Sequence, residues 1–215
     1  MSAGIVCDER VESAVPSSRP DLHVVVATPG EDPWAWRCYR EGLREAYEYY
    51  GVGAAQNLDE SRTALFITVF TAAGHAVGGA RFLGPHREAA QIDTLALWRD
   101  EPAAWAALTP YALDGVVDLE GAWVRRGVPE RAAVVAAVRR MPLDGAAMLG
   151  VRWCVAAAAE HSLPLWLASG CEILDVPSVP YPDERYATRL VVWDGDRGLV
   201  PAPRTAADDA TEVRP

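Results

Sequence analysis

The stretch from Thr63 to Gly84 constrains the fold most: TALFITVF, then TAAGH, then AVGGARFLG. Two β-branched and aromatic runs separated by a short linker that carries Gly74 read as a β-hairpin. The second arm holds the consecutive pair Gly78 and Gly79, followed by Arg81 between apolar neighbours. Glycines inside a strand mark a bulge or a place where another backbone or a ligand comes close.

The flanks fill in the order of elements. LHVVVAT (Leu22 to Thr28) reads as a strand, and PGED turns the chain into a helix with Asp32 as N-cap, Pro33 at its first position and Gly51 just past its end. Trp36, Tyr39, Leu43, Tyr47 and Tyr50 recur along it at helical spacing. The segment from Gln91 to Gly115 reads as a partly helical connector, and GVVDLEGAWVRRG (Gly115 to Gly127) as a strand. Two helices separated by Pro142 are expected next, over VPERAAVVAAVRRM and LDGAAMLGVRWCVAAAAEHS, the second capped by Asp144. LPLWLAS and YATRLVVWD then read as strands. This order predicts a mixed α/β domain without internal repeats.

At 215 residues, half of them hydrophobic, the chain suits one domain with a full core. Residues 1–20 and 199–215 have the composition of flexible segments, leaving 21–198 as the folded unit. A net charge of −10 argues against nucleic acid or an anionic membrane as partner. All twenty basic residues are arginine, which excludes lysine Schiff-base chemistry and a lysine-bearing phosphate loop. Cys7, Cys38, Cys154 and Cys171 show no zinc spacing and read as reduced thiols, so no metal is expected. The start of the sequence lacks a signal-peptide core and no run is long enough for a membrane helix, so a cytoplasmic protein is expected.

The strand Val116 to Arg125 carries two carboxylates. Alternation puts Asp118, Glu120, Ala122 and Val124 on one face and Val117, Leu119, Gly121 and Trp123 on the other. The acids then lie about 7 Å apart, facing either one cleft or solvent. Arg81, in an apolar strand, calls for an acidic partner or an edge position, and a pair with Glu120 or Asp118 would tune the acid and hold a substrate carboxylate bidentately. Cys171 and His161 invite a Cys–His nucleophile, but nothing in the spacing brings them together, and a free cysteine is mostly a small buried hydrophobe.

The order of elements resembles the GNAT acyltransferase fold: a single domain with a mixed central sheet, splayed fourth and fifth strands, and flanking helices. Within that superfamily the residues are most similar to the branch of acyl-homoserine-lactone synthases and long-chain N-acyl amino acid synthases. The matches are Arg37 in WRCYREGL, Gly78 to Phe82 in GGARF, and Glu120 in LEGAW, and the resemblance spans about residues 22 to 195. Two departures point to an amine acceptor other than S-adenosylmethionine. Trp123 stands where the lactone synthases carry an arginine three residues after the acid, and their acidic cluster is reduced here to NLDESR. The [QR]-x-x-G-x-[GA] loop of the acetyl-CoA enzymes is not found in RRMPLDGAAML, which leaves room for a donor whose pantetheine arm sits on a carrier protein.

The resemblance implies transfer of an acyl group from a pantetheine thioester, on acyl carrier protein or CoA, to the amine of a small molecule such as an amino acid. Attack needs a neutral amine, which a partly buried carboxylate can deprotonate. Glu120 is the expected proton acceptor or amine-orienting group, with Asp118 as neighbour or substitute. Arg81 and Arg37 are candidate substrate-binding groups, and Gly121 beside Trp123 would be where the strand splays to admit the pantetheine arm. Tyr181 or Tyr186 could protonate the leaving thiolate. The alternative reading is a non-catalytic ligand- or protein-binding module of the same fold.

Overall fold

The computed structural model describes residues 22–52 and 58–197. The segments 1–20 and 199–215, expected to be flexible, lie outside the described residues. In chain order the strands are β1 (Leu22–Ala27), β2 (Thr63–Thr71), β3 (Ala76–His86), β4 (Val116–Val124), β5 (Trp153–Ala159), β6 (Glu172–Ile173), β7 (Val179–Pro180) and β8 (Ala187–Asp194). The helices are α1 (Pro33–Tyr49), α2 (Pro102–Asp114), α3 (Arg131–Met148) and α4 (Leu163–Leu167). All strands join one sheet, ordered β1-β2-β3-β4-β5-β8-β6, with β7 also paired to β8.

The hairpin is present as β2 and β3, antiparallel. Asp32 caps α1, its carboxylate accepting from the Ala35 N–H at 2.8 Å, and Gly51 follows with φ +70°. Trp36, Tyr39 and Leu43 point into the sheet, where they meet Phe66 and Phe70 of β2. On the opposite face, Val134, Val138 and Met141 of α3 pack against Ile67, Phe82, Val117 and Leu119. A third cluster joins α2, through Ala104 and Leu108, to Val116, Val155 and Leu190. The sheet is thus covered on both faces, which explains its long apolar runs.

Three expectations need correction. Residues 153–159 form the strand β5, although WCVAAAA was expected as the end of a helix; alanine's helix propensity yields here to pairing between β4 and β8. LPLWLAS, expected as a strand, begins with α4. Pro142 does not divide two helices: α3 is continuous through it to Met148, with Leu149 as C-cap and Gly150 beyond at φ +68°.

The pairing of β4 positions the site. It lies antiparallel to β3 along most of its length and is the one parallel neighbour of β5 among the described strands. With β5 it shares three paired positions, Val116 with Trp153, Val117 with Cys154 and Asp118 with Val155. Beyond Asp118 the two strands separate, as the splayed fourth and fifth strands of the GNAT fold do.

Candidate functional site

A bulge divides β4. Gly79 pairs with Trp123 but Arg81 with Glu120, so β4 has one residue more than β3 across this step. Gly121 absorbs it at φ +58°, a conformation that costs an L side chain about 1–2 kcal/mol. Its carbonyl accepts the Tyr39 hydroxyl at 2.9 Å, and a Cβ there would lie 2.5 Å from that oxygen.

The bulge corrects the expected faces. Asp118 and Glu120 face the α1 side, but past Gly121 the alternation is shifted by one. Trp123 therefore joins them on that side, packed closely against α1, where a Cβ on Gly42 would come within 2.0 Å of its ring. Ala122 and Val124 instead pack with the α3-side core. Strict period-2 reasoning fails at a bulge.

The gap between β4 and β5 opens a cavity of about 960 Å³. Its polar end is built from β3, β4 and the segment around residues 58–62. Arg81, directly across from Glu120 and 7% exposed, donates through Nη2 to that carboxylate. Its other terminal nitrogen reaches the Thr63 hydroxyl at 3.3 Å and the Asp59 carbonyl at 3.4 Å. Arg62 meets Asp93 at 2.5 Å. Asp59, Arg62, Arg81, Asp93, Thr94 and Glu120 all line the cavity. The short helical turn holding Asp93 and Thr94 is thereby fixed to the wall.

Asp118 is fully buried and lies behind that wall. It accepts the Thr94 N–H at 2.7 Å and the Thr94 hydroxyl at 2.6 Å. Burial, reinforced by the nearby Glu120 charge, pushes its carboxyl up to about 8. The structure therefore brings Glu120, with its side chain 28% exposed, to the cavity and leaves Asp118 holding Thr94.

Of the other expected residues, Gly121, Trp123, Tyr181 and Tyr186 line the cavity. Burial raises the Tyr181 hydroxyl above its ordinary value, so it keeps its proton at neutral pH. The Tyr186 hydroxyl donates to the Tyr50 carbonyl at 3.1 Å. Arg37 sits on the exposed face of α1, outside the cavity. Its neighbours on that helix make the wall contacts instead: Trp36 Nε1 donates to Glu60 at 2.7 Å and Arg40 pairs with it at 3.1 Å. His161 lies between the rings of Tyr50 and Tyr186, at 5.6 and 5.7 Å. Burial pushes the Cys171 thiol up to about 12, and among the described residues no hydrogen bond joins it to His161. No Cys–His nucleophile is assembled there.

Sequence reasoning missed several lining groups. Ala156 and Ala157 of β5 give the cavity its width, and they were hidden in the run expected as helix. Asp59 and Arg62 belong to NLDESR, which carries part of the polar end. Arg126, Gly127 and Arg131 line the far end of the cavity. They flank the start of α3, so the segment to compare with a pyrophosphate loop is RRGVPER (125–131), not 139–149; it too lacks the glycine spacing. Six residues of extended chain separate Glu120 from Arg126, up to about 20 Å. The Arg126 guanidinium lies 4.0 Å over the Tyr49 ring, and Arg131 has no carboxylate partner among the described residues.

A strap crosses the wide end of the cavity. Besides the Tyr186 hydroxyl, Arg185 donates to the carbonyls of Tyr50 and Gly51 at 3.5 Å each, tying the end of α1 to the turn before β8.

No family model matches the chain. The uncharacterized protein Rv1356c of Mycobacterium tuberculosis is 36% identical over 186 residues, covering 82% of this chain and 70% of its own length. The uncharacterized protein Mb1391c of Mycobacterium bovis gives the same figures. The chain belongs to their family. Among solved structures, the acyl-homoserine-lactone synthase LasI aligns with TM-score 0.60 at 10% identity over 86% of this chain and all of its own. FeeM, an N-acyl amino acid synthase from uncultured soil microbes, aligns at 0.57 and 14% over 83% of this chain and 93% of its own. MesI, a CoA-dependent acyl-homoserine lactone synthase, aligns at 0.55 and 14% over 80% and 89%. The fold is therefore the GNAT-like fold that these synthases share. No helix of the described residues is long and apolar enough to cross a membrane.

Proposed function

We propose that the protein is an N-acyltransferase that moves an acyl group from a pantetheine thioester to the amine of a small molecule. The observation that carries this reading is the cavity between the separating strands β4 and β5, with the Glu120 carboxylate in its wall. A pantetheine arm is long, narrow and hydrogen-bonding, and the unpaired edges beyond Asp118 and Val155 offer it backbone groups. The fold shared with LasI, FeeM and MesI supports the same reaction class.

In this reading, the amine nitrogen attacks the thioester carbonyl carbon. Glu120 takes the amine proton, directly or through water. The C–N bond forms as the C–S bond breaks, and the thiolate leaves with a proton. Tyr181 suits that donation better than Tyr186, whose hydroxyl is committed to the Tyr50 carbonyl. Arg81 holds Glu120 in place and supplies positive charge beside it. Leu119, Val138 and Trp166 give the acyl chain an apolar wall on the α3 side. Arg126 and Arg131, beside the N-terminal end of α3, suit the phosphate of the donor. The absence of a glycine-spaced loop at residues 125–131 fits a phosphopantetheine on a carrier protein at least as well as the diphosphate of CoA.

Purified protein should be assayed with acyl-carrier-protein and acyl-CoA donors against a panel of amines, reading amide product by mass spectrometry. Amide formation with either donor is expected. Thioester binding without transfer to any amine would favour a binding module of the same fold.

A further inference from the structure

Among the described residues, each guanidinium lining the polar end of the cavity is paired with a carboxylate. Arg62 is held by Asp93 and Arg81 by Glu120. Arg40, just outside the lining, is held by Glu60. Asp59 adds a third lining carboxylate, which accepts the N–H and hydroxyl of Ser61 and has no salt bridge among the described residues. The lining at this end therefore carries three carboxylates (Asp59, Asp93, Glu120) against two guanidinium groups (Arg62, Arg81), a formal charge of −1. Residues 53–57, Gly-Ala-Ala-Gln-Asn, contribute no charged side chain. The spare guanidinium groups, Arg126 and Arg131, line the other end of the cavity.

This balance bears on the acceptor. An amine arriving as its ammonium ion is drawn to such an end and to the Tyr181 ring beside it. A carboxylate on the same molecule is not. It must share Arg62 or Arg81 with the carboxylate already there, or remain unpaired, and either way it sits among like charges, which costs binding free energy. The site is thus selective by repulsion as well as by attraction.

We propose that the acceptor is a primary amine without a free carboxylate: a simple amine, or an amino acid whose carboxyl is blocked as amide or ester. This rests on the acyltransferase reading and narrows it, since free amino acids become the disfavoured class.

The test compares an amino acid, its amide and the corresponding decarboxylated amine, with side chain and acyl donor held constant. The amide and the amine should exceed the free acid in kcat/KM by about tenfold or more, the ratio that a lost charged hydrogen bond gives. Equal or better use of the free acid overturns the proposal while leaving acyl transfer intact. Calorimetric binding of the three compounds without donor should show the same order, and the reverse order overturns the proposal even in a protein that transfers nothing. Asp93→Asn frees Arg62 and should narrow the ratio by improving the free acid. Asp59→Asn, an exposed change that keeps an N-capping side chain, should narrow it too and covers the case in which Asp93→Asn fails to fold. Ratios unchanged in a folded variant overturn the proposal.

Discussion

The two halves of β4 are built from similar residues and do opposite things. From Val116 to Leu119 the strand is buried, with β3 on one side and β5 on the other up to Asp118. From Glu120 to Val124 it keeps β3 alone and turns its free edge to the cavity. Each half carries one carboxylate. In the closed half Asp118 is locked to Thr94, whereas in the open half Glu120 reaches the cavity under the hold of Arg81. An acid in a strand is thus a buried structural clamp or a cavity-lining group according to whether the neighbouring strand is still there, and the changeover occurs within two residues.

The sharpest way to break that contrast is Glu120→Gln. General-base assistance is worth about 10²–10⁴-fold, so kcat/KM should fall by that order while the unfolding transition stays close to the parent's. Turnover at the parental rate would mean that the open half is not the reacting half. Next comes the boundary itself. Gly121→Val forces a β-branched residue to positive φ and into the Tyr39 hydroxyl, and denaturant unfolding should show a loss of about 3 kcal/mol. A smaller effect follows from narrowing the gap opposite. Ala156→Leu should shift the preference from long to short acyl donors by about tenfold, read from kcat/KM across chain lengths.

The smallest effect tests the closed half. The Asp118 carboxyl is raised from its ordinary value to about 8. The folded protein therefore holds a proton that the unfolded chain releases near pH 4. Its contribution to stability is complete below that pH and is lost as pH rises through about 8. Asp118→Asn should flatten this part of the stability–pH curve, a slope of at most about 1.4 kcal/mol per pH unit. An unchanged slope would show that Asp118 is ionised in the fold.

Much of this was legible in the sequence because it is local. The cap at Asp32 and Pro33, the turn at Gly74 and the shared face of Asp118 and Glu120 each follow from a few neighbouring residues. Arg81 needed only one further step, since a lone charge in an apolar strand asks for a counter-charge. What failed depended on distant partners. Alanine is the best helix former, and only pairing with β4 and β8 makes Trp153–Ala159 a strand. Short apolar runs such as LPLWL fit either state. The bulge that moves Trp123 onto the face of Glu120 exists only in the register with β3. Thr94 comes from a connector with no pattern of its own, and its role appears once Asp118 is seen beneath it.

The strap from the turn before β8 to the end of α1 gives the cleft a topology. At its narrow end the limbs of the V are joined by the last paired positions of β4 and β5, and at its wide end by Tyr186 and Arg185 reaching the carbonyls of Tyr50 and Gly51. A cleft closed at both ends is an eyelet rather than a trench. Under the proposed acyl transfer, a flexible thioester arm would be threaded through it lengthwise instead of being laid in from the side, and whatever is joined to that arm would stay on the face by which it came.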